Sequence, residues 1–276
     1  MAVAEFMFAF YSPGDLSTFS RLCHRNVSVD RQVGENRPAQ PDIEASLDIE
    51  YIRAVAPDVP LTVVTAAEAY SMLQWANTIT TMADPPRVHS VSYGQDEAQQ
   101  SGAAYMRSVN QLLAKAGVMG QSLLFASGDM GACGREGCGR PARFHPTFPA
   151  SSPYVTSVGG TEFVDATIGP ESAWDSSGGG FSDTFRVPNY QAQAVARFIE
   201  QSRSKGTLPA ESLWNASGRG FPDVAALSGG KTPYCVVSGG QFHDVSGTSA
   251  STPVLAGIVA RLNALRAENG KPPLGF

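Results

Sequence analysis

The chain has 276 residues, of which 42% are apolar and 16% charged, with a formal net charge of −5. That length and composition suit one large α/β domain with a buried core and exclude a disordered chain. Acidic and basic residues are interspersed without a Lys/Arg stripe, which argues against a nucleic-acid partner, and no uninterrupted apolar run is long enough to span a bilayer.

In chain order, Met1–Phe10 is apolar apart from Glu5. It has no basic n-region and no small-residue cleavage site after it, so it reads as a helix (Ala2–Tyr11) inside a longer protein and not as a signal peptide. A second helix is expected around Leu16–Arg25, then a polar surface loop over Arg31–Pro41. From Asp42 onward Ile43, Leu47 and Tyr51 recur at a helical period, with Asp42 and Glu44 placing negative charge in the first turn. Leu61–Ala66, Val88–Tyr93, Ser122–Ala126 and Pro153–Val158 read as strands, with helices over Ala69–Met82 and Ala103–Gly117 between them. Such alternation predicts a parallel sheet with helices on both faces. A loop-rich excursion (Asp165–Pro188), a helix (Gln191–Ser202) and a strand (Cys235–Ser238) follow. The last element is a helix, Thr252–Glu268, with Pro253 near its first turn, where a missing N–H does no harm. Pro272–Phe276 stops straight after it without resembling a domain ending, so residues 1–276 read as one partial domain.

Cys23, Cys133, Cys138 and Cys235 are too few for a disulfide scaffold, and the C-x4-C pair Cys133/Cys138 lacks the second ligand pair a zinc site needs. Sequons at Asn26-Val27-Ser28 and Asn215-Ala216-Ser217 tilt the reading toward a secretory or lysosomal protein.

Three segments carry chemistry. Ser246-Gly247-Thr248-Ser249-Ala250-Ser251-Thr252-Pro253 is a small-residue turn leading into a helix, which can hold a serine hydroxyl at a helix N-terminus beside oxyanion-stabilising N–H groups. It resembles the nucleophile segment of subtilisin-like peptidases. A serine needs a base, yet none of His24, His89, His145 and His243 stands in a helix-opening H-G-T-H-type sequence. Glu44-Ala45-Ser46-Leu47-Asp48 stands there instead, and its i, i+4 spacing puts both carboxyls on one helix face, where they repel unless one holds a proton. Ala126-Ser127-Gly128-Asp129-Met130-Gly131 follows an apolar strand where subtilisins carry an oxyanion-hole Asn; a protonated Asp129 can donate as that Asn does.

Together and in this order these segments resemble the sedolisin, or serine-carboxyl peptidase, family, in which a subtilisin-like fold carries a Ser-Glu-Asp triad and an oxyanion-hole Asp. Ile43–Tyr51 (IEASLDIEY), His89–Asp96 (HSVSYGQD), Leu123–Gly131 (LLFASGDMG) and Pro146–Thr161 (PTFPASSPYVTSVGGT) are similar to it. So are Ser177–Ser182 (SGGGFS), Asn215–Arg219 (NASGR), Pro222–Leu227 (PDVAAL), Val245–Pro253 (VSGTSASTP) and Pro272–Phe276 (PPLGF). The resemblance implies an α/β subtilisin-like fold, Ser249 as nucleophile, Glu44 as general base, Asp48 as the carboxylate orienting Glu44, and Asp129 as oxyanion donor. It implies that Ser92-Tyr93-Gly94 pair with the substrate backbone and that Gly178-Gly179-Gly180 form the opposite wall.

The same resemblance implies a serine-type peptidase active at acidic pH, releasing tripeptides from free N-termini of peptides or unfolded proteins in the lysosome or an acidic extracellular compartment. A prodomain is expected upstream, and Ca2+ ligands beyond Phe276, leaving no metal or cofactor site within this chain. Cys133 resembles a family cysteine whose partner is also expected past Phe276, although Cys133–Arg140 departs from the family pattern in length and sequence. A Glu base of ordinary pKa near 4.3 must be ionised while Asp129 stays protonated, a combination confined to mild acid. The rival readings are a truncated or inactive relative that only binds peptides and a His-dependent subtilisin, against which the missing base histidine counts. A nucleotide-binding domain lacks both a P-loop Lys and a strand-following G-x-G-x-x-G.

Overall fold

In the computed structural model, which describes residues 1–66 and 70–276, the apolar opening of the chain is a strand, β1 (Ala2–Phe6), and not the expected helix. Every residue of β1 is buried. A strand covered on both faces of a parallel sheet carries a continuous apolar run, which periodicity alone does not separate from a buried helix. Met7 and Phe8, both at positive φ (54° and 64°), then turn the chain out of the sheet. Helix α1 (Pro13–Cys23) ends at His24 in the left-handed conformation. The polar stretch expected as loop contributes β2 (Arg31–Val33), and α2 (Ile43–Val55) begins where Asp42 accepts the Glu44 N–H at 2.8 Å.

The central elements β3 (Thr62–Ala66), α3 (Met72–Thr81), β4 (Val88–Val91), α4 (Ala103–Val118) and β6 (Ser122–Ala126) follow the expected alternation, with a short strand not expected from sequence, β5 (Gln95–Asp96), between β4 and α4. The expected first residue of α3, Ala69, lies outside the described residues. Next come β7 (Thr147–Phe148) and β8 (Thr156–Phe163), and the excursion expected as loop holds β9 (Glu171–Ala173) and β10 (Gly180–Arg186). Helix α5 (Ala192–Ser204), β11 (Gly218–Phe221), β12 (Val224–Leu227), β13 (Tyr234–Ser238), β14 (Gln241–Val245) and α6 (Thr248–Glu268) complete the fold.

The main sheet runs β12-β8-β6-β4-β1-β3-β2, all parallel, with β9 added antiparallel to β8. Side-chain alternation splits its two faces. Val3, Val63, Val88, Leu124 and Val158 pack with residues of α1, α2 and α6, whereas Ala2, Ala4, Phe6, Leu123 and Phe125 pack with residues of α3 and α4. Glu5 shares the face of Val3, so the one charge in β1 points toward α2 and α6. The strand order reverses between β1 and β4, and at such a switch point an open α/β sheet leaves a crevice beyond its strand ends.

Helices α2 and α6 lie side by side on that face. At Gly257 an added Cβ would stand 2.9 Å from Val55 Cβ and 3.0 Å from the Ile52 carbonyl, so only glycine lets the two backbones approach this closely. Helix α6 starts at Thr248, ahead of the expected Thr252, because its first turn is built from small, fully buried residues that carry no amphipathic stripe. Pro253 therefore sits in the second turn. There it withholds the N–H that would otherwise bond the Ser249 carbonyl.

Candidate active site

The crevice is a cleft of about 440 Å³. Each element contributes by its end: β1 through Phe6 and Met7, α2 through Glu44, β4 through Ser92-Tyr93-Gly94, β6 through Gly128 and Asp129, and α6 through Thr248 and Ser249. The Ser249 side chain contacts the Glu44 carboxyl, and Ser249 Oγ lies 3.4 Å from the Ser92 carbonyl oxygen. That distance is long for a hydrogen bond, so the Ser92 carbonyl holds the hydroxyl only weakly. Ser249 is a second residue of α6, so its backbone N–H is one of the first-turn groups without a helical acceptor.

Asp129 is oriented by the same turn. Its Oδ1 accepts both the Thr248 N–H and the Thr248 hydroxyl at 2.7 Å, and Thr248 Oγ1 accepts the Gly128 N–H at 3.1 Å. With Oδ1 committed as acceptor, Oδ2, beside Gly247, is the oxygen that can carry a proton. Asp48 is fully buried behind Glu44 and accepts the Ser92 hydroxyl at 2.7 Å. Ser92 Oγ also stands 3.4 Å from the Ser249 carbonyl that Pro253 leaves free, so one hydroxyl joins the two helices and β4.

Three buried carboxyls of this site, Glu44, Asp48 and Glu5, are shifted upward. Burial raises Glu44 to about 7, with Asp129 and Asp42 adding to the rise and the Ser249 contact opposing it. The expected ordinary glutamate is thereby corrected: loss of water outweighs its hydrogen bond. Asp48 is raised well above its usual range by burial first and by the charges of Glu5 and Glu44 second. Glu5 is raised by burial and by Glu44 while Tyr93 donates to its Oε2 at 3.0 Å. Glu5 Oε1, Glu44 Oε1 and Asp48 Oδ2 are buried without hydrogen-bond partners.

Of the residues expected from sequence, Glu44, Asp129, Ser249, Ser92, Tyr93 and Gly94 line the cleft, and Asp48 stands behind them. Gly178, Gly179 and Gly180 do not line it. The glycine requirement at Gly178 is internal: an added Cβ would fall 2.3 Å from the Ser127 carbonyl, and the Gly178 N–H bonds the Gly128 carbonyl at 2.6 Å, bracing the segment that carries Asp129. Sequence reasoning missed Glu5, Thr248 and Arg135. A lone carboxylate in an apolar strand could have signalled Glu5; nothing local singles out Arg135.

No histidine lines the cleft among the described residues, and His89 is fully buried beside the Pro86 carbonyl, burial holding its pKa down at about 3. Cys133 is bonded to Cys138, correcting the expected distant partner, while Cys23 and Cys235 are free. Among the described residues no three His, Cys, Asp or Glu side chains converge to hold a metal ion, and no helix is long and apolar enough to cross a membrane. The calcium expected beyond Phe276 enters no step below.

Comparison with known proteins bears on this geometry. The model of the subtilase family matches residues 14–272. Tripeptidyl-peptidase 1 of Homo sapiens is 44% identical over 285 residues, covering 100% of this chain and 49% of that protein, and the Bos taurus protein is 43% identical over 286 residues. The chain thus spans about half the length of the curated relatives it matches. Pseudomonas sedolisin, a serine-carboxyl proteinase complexed with two molecules of pseudo-iodotyrostatin, superposes with a TM-score of 0.76 at 22% identity, covering 100% of this chain and 77% of that one. A cold-adapted subtilisin-like serine proteinase superposes at 0.55 with 17% identity, covering 99% and 78%. These two likenesses establish the subtilisin-like fold.

Proposed function

The chain belongs to the subtilase family, and from that premise we propose that it carries the catalytic centre of a serine-carboxyl peptidase working in acid. The observation that carries this reading is the convergence of Ser249, Glu44 and Asp129 on one cleft that, among the described residues, no histidine lines. Glu44 takes the Ser249 proton as Oγ attacks the substrate carbonyl. The Asp129 carboxylic acid, through Oδ2, and the Ser249 N–H hold the oxyanion. Glu44 then protonates the leaving amine, and water, deprotonated by Glu44, releases the acyl group. Asp48 and Ser92 keep Glu44 and the α6 turn in register. The edge Ser92-Tyr93-Gly94 offers backbone to an extended peptide.

The proposed acid range requires Glu44 ionised while Asp129 donates through Oδ2; burial, with the Asp129 charge adding to the rise, brings Glu44 to about 7 and makes its carboxylate a stronger base than an ordinary glutamate. Release of tripeptides from free N-termini, peptide or unfolded-protein substrates, a prodomain and a lysosomal or acidic extracellular site complete the proposal, supported by the 44% identity to tripeptidyl-peptidase 1.

The test is hydrolysis of an N-terminally free tripeptide fluorogenic amide and its N-acetylated twin by the full-length protein, after acid incubation, from pH 3 to 8. A bell peaking below pH 7 for the free amine only is expected. A rate climbing toward alkaline pH, or none, would sink the reading. Equal rates for both twins would remove the tripeptidyl part alone. In Asp129→Asn the amide donates at every pH while its oxygen still accepts from Thr248. We expect the basic limb of the bell to move toward neutrality with activity retained; a folded variant inactive at all pH values would contradict oxyanion donation as the sole role of Asp129.

A further inference from the structure

Arg135 is the one basic residue among those lining the cleft, which otherwise presents the acidic Asp42, Glu44, Asp96 and Asp129. It belongs to a hexapeptide, Cys133-Gly134-Arg135-Glu136-Gly137-Cys138, closed on itself by the Cys133–Cys138 disulfide. Asp96 holds this loop in place, its Oδ2 accepting the Glu136 N–H at 2.8 Å. Gly134, at φ 61°, packs so closely on that carboxylate that an added Cβ would fall 2.6 Å from both its oxygens. The His145 N–H bonds the Ala132 carbonyl at 3.0 Å and the Arg143 N–H bonds the Cys138 carbonyl at 2.8 Å, pinning both flanks. The loop is therefore built to hold residue 135 over the cleft.

The guanidinium itself is uncommitted. Among the described residues it forms no salt bridge and no side-chain hydrogen bond, although the charge is felt by Glu44, Asp96 and Tyr70 around the cleft. An arginine presented on a cross-linked loop, without a side-chain partner among the described residues and lining the cleft, has the planar donor fork that a carboxylate accepts. Ser92–Asp96 and Gly128–Gly131 line the same cleft, and on the peptidase reading a peptide whose carbonyl meets Ser249 would run between these two walls.

We propose that Arg135 is a specificity-determining residue, favouring substrates with an acidic side chain at one of the two positions that precede the scissile bond. The assignment rests on the peptidase reading for its consequence, and on the loop and cleft alone for its geometry. Glutamate and glutamine are isosteres that differ in charge, so their ratio isolates the electrostatic contribution and does not depend on the fraction of folded enzyme.

The experiment measures kcat/KM for free-amine tripeptide coumarin amides with Glu or Gln at either position, and Kd for the corresponding tripeptides. The full-length protein is compared with Arg135→Ala, Arg135→Lys and Arg135→Glu at pH 5.5 and 3.5. At pH 5.5 a Glu/Gln ratio of about fivefold is expected at one position, as for a partly exposed ion pair. It should fall to about one in Arg135→Ala, drop below one in Arg135→Glu, persist in Arg135→Lys, and shrink at pH 3.5, where the substrate carboxyl is protonated. A ratio at or below one at both positions, or one unchanged in Arg135→Ala, overturns the proposal. Charge-dependent binding without hydrolysis would overturn the peptidase reading and leave Arg135 standing; hydrolysis without charge preference would do the reverse.

Discussion

Ser249→Ala and Glu44→Gln each lower kcat by about a million-fold, and the double variant is no slower than either alone. Alanine removes the attacking oxygen. Glutamine keeps the shape of Glu44 and loses only the ability to take a proton, so the serine is left as a weak alcohol in a site that still binds. The two act as one unit, since a base without its nucleophile and a nucleophile without its base are equally idle, which is why the losses do not multiply. Residual catalysis of about a thousand-fold over water remains from oxyanion contacts and binding. Neither change should unfold the protein: Ser249 is packed in the first turn of α6 but its Oγ makes only the Glu44 contact and the 3.4 Å contact to the Ser92 carbonyl, and Glu44 Oε1 has no partner to lose. Single-turnover kinetics with the free-amine amide, beside circular dichroism of each variant, decides the matter. Losses that multiply, or a Glu44→Gln enzyme keeping a tenth of its activity, would mean that Glu44 is not the base.

The second large effect is on stability. Glu50, on α2, is fully buried, and its two oxygens accept the Val237 N–H at 3.2 and 3.3 Å; burial, reinforced by Asp15, lifts its pKa to about 9. The groups facing it are Asp15 and Cys23 of α1, its neighbour Tyr51 and Cys235 of β13. A carboxyl whose folded pKa lies above its unfolded value is held protonated by the fold. The folded chain then binds more protons than the unfolded one, and stability falls as pH rises. For Glu50 the stabilisation is complete below the ordinary value of 4.5 and is lost up to about 9; for Glu44 the corresponding window ends at about 7. Each unit of difference is worth about 1.4 kcal/mol, so Glu50 alone costs several kcal/mol on going from pH 5 to pH 8. Urea unfolding of the full-length protein should show a midpoint highest near pH 5 and falling toward pH 8. Glu50→Gln, which cannot ionise yet still accepts from Val237, should flatten the slope. A midpoint that rises with pH, or a slope unchanged in Glu50→Gln, would show that these carboxyls are not held neutral. A fold most stable in acid suits the acid working range proposed for the cleft.

Much of this molecule was legible in its residues. The alternation from Leu61 to Val158 announced the parallel sheet, and α3 to β8 follow it closely, because a strand under helices must be apolar throughout and a helix on its face must be apolar along a stripe. Glu44, Asp129 and Ser249 were nameable because their segments, taken together and in order, resemble those of one family, whereas each alone has an ordinary structural reading. The errors came from the same rules. Ala2–Phe6 has the apolar run of a central strand, and a run that short is equally good in a buried helix; only its pairing with β3 and β4 decides. The first turn of α6 was missed because it is buried by its neighbours on every side and shows no periodicity.

The sequence by itself thus determined the fold class, the alternation of the central strands and helices and the types of group that meet at the cleft, since those depend on short-range patterning and side-chain chemistry. Tertiary structure alone decided that the Glu5 charge acts on Asp48, that Gly178 packs against Ser127 and braces the segment of Asp129, that Arg135 lines the cleft, and that burial raises Glu44 to about 7. The physical reason is common to all four. Dehydration, close approach and the field of neighbouring charges are set by groups distant in sequence, and no local pattern encodes which of them a folded chain will bring together.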